Sequence, residues 1–216
     1  CFRVTIFMKY YLLKQKNLKK WEMGDTLLLI FFILVMSKII LNNLSVPYVI
    51  QKFNDHNKIK GNLLLSIDTS AHEKLEASDQ YYSDYIHKLD WHKNKDFERP
   101  WVKHFLPFLN TQISTMIKPL GFENFTLPVL WYQQYLENGK HGWHVHGGNY
   151  TGVYYLEMPK DSPTTQIVDP SNMNNVINLN VQEGDFVIFP SFVIHRAPKN
   201  KSHKRKTIIS FNIYFD

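Results

Sequence analysis

Between Phe125 and Phe215 the chain passes through seven short β-rich stretches with no room for a helix between them. VLWYQQYL, TGVYYLEMP, TQIVDP, VINLNV, DFVIFP, FVIH and TIISFNIYF are rich in β-branched and aromatic residues, which suit a pleated, half-buried surface. ENGKHG, PKDSP, PSNMNN, QEGD and PKNKSHKRK separate them and supply the Gly, Pro, Asn and Asp that reverse the chain. Strands of this length at this spacing are predicted to form a sandwich or a jelly roll, which pairs most of the edges an open sheet would leave bare.

The first half reads differently. Lys38 to Phe53, with Pro47 inside, suggests an edge strand and a turn. Ile59, Leu63, Leu64 and Ile67 recur at helical spacing after a candidate cap at Asn54 or Asp55. Residues 68–99 are polar and mixed, predicting loops with short helical pieces that form part of an entrance. From Trp101 to Ile117, Phe105, Leu106, Leu109, Ile113, Met116 and Ile117 form the apolar stripe of an amphipathic helix, with Pro107 suited to its first turn. The expected architecture is therefore mainly β with N-terminal helices. Residues 36–216 make one domain, a helical buttress over 36–124 and a β core over 125–216.

Residues 1–35 form a leader with a composition of its own. Six Lys and Arg face two acidic residues there, so +4 of the net charge of +6 belongs to the leader. The nearly neutral body that remains gives no basis for tracking a phosphate backbone, so no nucleic-acid partner is expected. The apolar run Thr26–Met36 is shorter than the ~20 residues of a membrane span. Three readings stay open for the leader: translation starting at Met36, a signal or membrane anchor, or a packed segment. No membrane partner is expected unless the anchor is real. The single cysteine, Cys1, excludes an internal disulfide framework and agrees with a reducing, cytoplasmic setting.

The chemistry concentrates at Trp143-His144-Val145-His146-Gly147-Gly148. Residues two apart on a strand share a face, so His144 and His146 project side by side and make a chelating pair for a divalent transition metal. A jelly roll brings early and late strands to one mouth of the barrel. His195, which follows the strand Asp185–Phe189 and the break at Pro190, is then placed to add a third imidazole. His141 is a lesser candidate, because its spacing of three from His144 suits a helix rather than a strand. The other six of the ten histidines look superficial or structural.

Taken in order, WYQQYLENGKHGWHVHGGNYTGVYYLEMP, GDFVIFPSFVIHRAP and RKTIISFN resemble the 2-oxoglutarate/Fe(II)-dependent oxygenases of marine phages and bacteria, which are similar to prolyl-4-hydroxylases. The resemblance spans about Trp131 to Phe215. It implies a double-stranded β-helix (jelly roll, cupin-like), Fe(II) on His144, His146 and His195, and 2-oxoglutarate and O2 as co-substrates. It implies a cytoplasmic enzyme too, in the host cell if phage-encoded. The far carboxylate of 2-oxoglutarate needs a cation and a hydroxyl. Arg205 with Thr207 is the favoured pair, since a guanidinium grips a carboxylate through two parallel hydrogen bonds; Lys206 is the alternative. Tyr135 and Tyr155 are further candidate co-substrate contacts, and Trp143, Tyr154 and Tyr155 candidate pocket walls. His146 stands where the wider superfamily has Asp or Glu, so the metal face is neutral. The expected activity is hydroxylation of a prolyl residue or a small metabolite. The alternatives are a cupin-like three-His dioxygenase that needs no 2-oxoglutarate, or a non-catalytic β-barrel binding module.

Overall fold

The computed structural model describes residues 45–70, 85–93 and 96–215. The expectations for the leader 1–35, and for the part of the entrance loops at 71–84, lie outside the described residues. Two antiparallel sheets dominate. The larger has six strands in the order β1-β8-β5-β10-β3-β2: β1 Val49–Lys52, β8 Asp185–Pro190, β5 Tyr150–Glu157, β10 Lys206–Phe215, β3 Phe125–Tyr135 and β2 Ile86–Leu89. The smaller has four in the order β4-β9-β6-β7: β4 His141–His144, β9 His195–Ala197, β6 Gln166–Val168 and β7 Val176–Asn178. From β3 onward the chain passes back and forth between the sheets, and this winding is the double-stranded β-helix, or jelly roll.

Side-chain parity divides the large sheet into two faces. Tyr135, Val153, Tyr155, Val187, Phe189 and Ile208 point toward the small sheet and pack with its Ile167 and Ala197. Leu130, Tyr132, Tyr154, Phe186, Ile209 and Phe211 point the other way, onto two helices. Helix α1, His56–Thr69, buries Ile59, Leu63 and Ile67 at a spacing of four. Asp55 is its N-cap residue, without a side-chain cap hydrogen bond. Helix α2, Pro100–Met116, buries Trp101, Val102, Phe105, Leu109, Ile113 and Met116. Fully burying one such large apolar side chain contributes about 1.5–3 kcal/mol.

Two expectations change here. Pro107 lies inside α2, and Pro100 takes the first turn instead. Pro107 is tolerated because it and Lys103, whose carbonyl loses its helical partner, face solvent, where water can bond. The polar stretch 68–99 also contains a strand, β2, which pairs with β3. Its sequence, IHKL, is too short and polar to announce itself.

A buried ion pair ties β2, α2 and β3 together. Asp90 accepts from Arg99 at 2.5 Å, from the Trp101 indole at 3.0 Å and from the Tyr132 backbone N–H at 2.7 Å. Arg99 also donates to the Leu130 carbonyl at 2.8 Å. Burial pushes the Asp90 carboxyl up and the Arg99 guanidinium down, so each depends on the other to stay charged. Asp90→Ala strands a buried guanidinium and is expected to cost about 3–5 kcal/mol in denaturant unfolding. A loss under about 1 kcal/mol would contradict that reading.

Candidate metal centre

Short β4 and β9 pair at the mouth of the barrel, with His144 directly opposite His195. His146 lies just past the end of β4, held by its backbone N–H donating to the Ser191 carbonyl at 3.0 Å. The ligand-capable nitrogens of His144, His146 and His195 all lie within 4.8 Å of one another. His144 Nε2 and His146 Nε2 are 3.2 Å apart. Two nitrogens bound side by side to one metal at about 2.1 Å each sit about 3 Å apart, so this spacing fits a shared ion.

Hydrogen bonds set the tautomers. His144 Nδ1–H donates to the Gly142 carbonyl at 2.8 Å, and His195 Nδ1–H to the Val193 carbonyl at 2.9 Å. In both rings this leaves the Nε2 lone pair free, as when a carbonyl behind a metal-binding imidazole fixes its orientation. Burial lowers all three basicities. Burial and the neighbouring imidazoles take His146 down to about 3, burial above all takes His195 to about 2, and burial lowers His144. The rings are therefore neutral at physiological pH, which is the ligating form. Among the described residues this cluster holds no carboxylate, so the donor set is three neutral nitrogens.

Strand parity sorts the remaining candidates. Lys206 pairs with Tyr135 across β10 and β3, and both side chains enter the space between the sheets. Lys206 is only 2% exposed. Its Nζ donates to the Pro163 carbonyl at 2.7 Å and lies 5.7 Å from the Tyr155 ring and 6.0 Å from the Tyr135 ring. Burial lowers its pKa to about 8. No carboxylate pairs with it among the contacts of the described residues, so the barrel interior contains a cation suited to an anion.

Arg205 and Thr207 fall on the opposite face. Arg205 donates to Glu157 and to Asp68 of α1, both at 2.8 Å, and Thr207 donates to Glu157 at 2.7 Å. The polar groups of Arg205 and Thr207, the favoured pair of the sequence reading, thus serve acidic partners on the helix side of the sheet, while Lys206, the alternative, faces the interior. Tyr135 and Tyr155 do lie inside, with the Tyr155 hydroxyl donating to Thr165 at 2.6 Å.

Two pocket-wall expectations change as well. Tyr154 packs among the helix-facing aromatics and bonds to His56 at 2.7 Å. Trp143, next to the inward His144, is exposed on the other side of the strand under Arg196 at 4.3 Å. Sequence reasoning missed two interior residues. Trp131 packs against His146 with ring centres 5.4 Å apart, and Gln133 bonds to His141. The signal was present in WYQQY, where Trp131, Gln133 and Tyr135 alternate onto one face.

No family model and no curated protein sequence matches the chain. Its fold is similar to several solved structures. One is an oxidoreductase of the 2OG-Fe(II) oxygenase family from Burkholderia pseudomallei, at 10% identity and TM-score 0.59, covering 77% of this chain and 84% of that one. A prolyl-4-hydroxylase from Pseudomonas putida is similar at 12% identity and TM-score 0.52, covering 79% and 92%. HygX from Streptomyces hygroscopicus, solved with nickel and 2-oxoglutarate bound, is similar at 8% identity and TM-score 0.57, covering 79% and 83%. The architecture is thus the jelly roll of the 2-oxoglutarate/Fe(II) oxygenases. Among the described residues, no helix is long and apolar enough to cross a membrane.

Proposed function

We propose that the protein is an Fe(II)- and 2-oxoglutarate-dependent dioxygenase that hydroxylates a small metabolite or a peptide substrate, with a prolyl residue as one candidate. The observation that carries this reading is the pairing of two features in one inter-sheet space: three converging neutral imidazoles and a buried lysine ammonium.

His144, His146 and His195 would hold the metal on one face. When bound, Fe(II) with 2-oxoglutarate and O2 supplies oxidative decarboxylation to succinate and CO2, coupled to oxidation of a C–H bond. The chain's own part is to bind, orient and exclude water. Lys206 would receive the far carboxylate of 2-oxoglutarate in a charge-assisted hydrogen bond, strengthened by its apolar setting. The Tyr135 and Tyr155 rings would flank that carboxylate. Phe189 packs edge-on against His195 with ring centres 4.8 Å apart and closes the apolar side behind the ligand. A dianionic co-substrate also complements a donor set that brings no negative charge of its own. The cytoplasm, where thiols stay reduced, is the compartment that a chain with one cysteine fits.

The neutral triad itself favours a second reading, a three-His dioxygenase that consumes O2 without 2-oxoglutarate. One assay separates the two. Iron-loaded protein is incubated with 2-oxoglutarate, O2 and a pool of host peptides and metabolites. The expected result is iron-dependent release of succinate and products that have gained one oxygen atom. Uptake of O2 without succinate would favour the second reading. Neither, from protein that holds iron, would leave the binding module and exclude both enzymes.

A further inference from the structure

His141 lies in a bulge that reverses its parity. From His141↔Ala197 to His144↔His195 the chain advances three residues along β4 but two along β9. The extra residue is a β-bulge, which re-aims a side chain. His141 and His144 therefore face the same way, which regular strand geometry forbids for a spacing of three. Their rings stack, with centres 4.1 Å apart and planes 18° from parallel.

His141 is also held from the far sheet. Ser210 on β10 donates to Gln133 Oε1 at 3.4 Å, and Gln133 Nε2 lies 3.2 Å from His141 Nδ1. Gln133 and Ser210 are each 4% exposed, so the link is shielded from water. With the Gln133 carbonyl facing Ser210, its amide N–H donates to His141 Nδ1 and the ring proton of His141 sits on Nε2. This is the opposite tautomer from His144 and His195, whose Nδ1 atoms carry the proton. His141 is thus set as a brace rather than as a fourth ligand.

The fold supplies the reason for a brace. β4 is a four-residue strand at the edge of the small sheet, paired with β9 alone among the described residues. Its short backbone ladder and the Gly142 carbonyl hold one edge of the His144 ring, and among its ring neighbours only His141 lies nearly parallel to it, 18° against 52° for His195 and 86° for His146. We infer that Ser210, Gln133 and His141 form a positioning relay from the large sheet to the metal face, in which the stacked His141 ring sets the plane of His144. The inference rests on the metal-dependent reading above.

Titration of metal-free full-length protein with Co(II), followed by visible absorption, tests it. Loss of an outer-shell partner of a metal-binding histidine weakens binding about 10–100-fold. His141→Ala is expected to weaken Co(II) binding by that factor and to shift the absorption bands, while the metal-free protein melts no lower than Gln133→Met, which breaks the same buried hydrogen bond. Gln133→Met is expected to weaken binding less, and His141→Phe, which keeps a stacked ring, to recover most of the affinity. Wild-type affinity and spectrum in His141→Ala would overturn the relay. So would an equal loss in His141→Phe together with a fall in metal-free stability beyond that of Gln133→Met, which marks a merely structural residue. Wild-type protein that takes up no Co(II) overturns the proposed metal enzyme itself, a result distinct from either.

Discussion

His195→Ala is expected to abolish turnover and to leave purified protein without bound iron, while the metal-free fold survives. His195 is 5% exposed and, of the three proposed ligands, is the one delivered by β9. Without it, His144 and His146 remain as a pair two residues apart, with no third nitrogen to close the face. The loss of a direct ligand exceeds the ~10–100-fold cost of losing an outer-shell partner. Stability should suffer much less. The substitution removes one imidazole hydrogen bond to the Val193 carbonyl, about 1 kcal/mol, and some packing against Phe189. Metal content by mass spectrometry, paired with a thermal melt, reads both effects. Stoichiometric iron and retained turnover in the variant would remove His195 from the site.

Lys206→Met carries the second large effect, and its two consequences run in opposite directions. Methionine matches the lysine stem in shape and removes a buried charge that has one carbonyl as its polar partner. Replacing buried charge by well-packed apolar volume is often neutral or stabilising, so the ligand-free melt should hold or rise. The apparent KM for 2-oxoglutarate should instead rise sharply. Removing one partner of a buried charge pair costs about 2–5 kcal/mol, or about 30-fold and more in affinity. Arg205→Ala is the control. It breaks ion pairs to Glu157 and Asp68 that are partly exposed, worth about 0–1 kcal/mol each, and should leave the KM for 2-oxoglutarate unchanged. If Arg205→Ala raised KM and Lys206→Met did not, the assignment on β10 would be reversed.

The lysine also sets a pH dependence. In the folded protein its pKa is lowered from the ordinary 10.5 to about 8. Above about pH 8 the ligand-free site loses its proton, and affinity for the dicarboxylate should fall. The sign for stability is the reverse. Between pH 8 and 10.5 the unfolded chain holds a proton that the folded one has released, so this residue favours folding increasingly across that window.

Much of this was legible in the sequence because it depends on local periodicity. The alternation in YTGVYYLE and TIISFNIYF, the His-x-His pair and the break at Pro190 before His195 are all features of neighbouring residues. What the sequence left open depends on partners far along the chain. Arg205 and Lys206 are adjacent, and only the register of Lys206 against Tyr135 says which of them faces inward. His141 was set aside on strand parity, a sound rule that the extra residue in β4 breaks. Tyr154 and Tyr155 look alike in sequence, yet one stacks on Phe186 beneath the helices while the other lies fully buried between the sheets.

The parity of β10 bears on how such chains can change length. Nothing in the inward aim of Lys206 depends on the number of residues between it and His195. Insertions or deletions in the turn over residues 198–205 would leave the ammonium in place as long as Lys206 still pairs with Tyr135. A single-residue slip of β10 against β3 would instead carry every interior side chain of that strand to the helix side at once. A search for the same arrangement in other sequences should therefore follow strand pairing rather than a fixed distance from the last histidine.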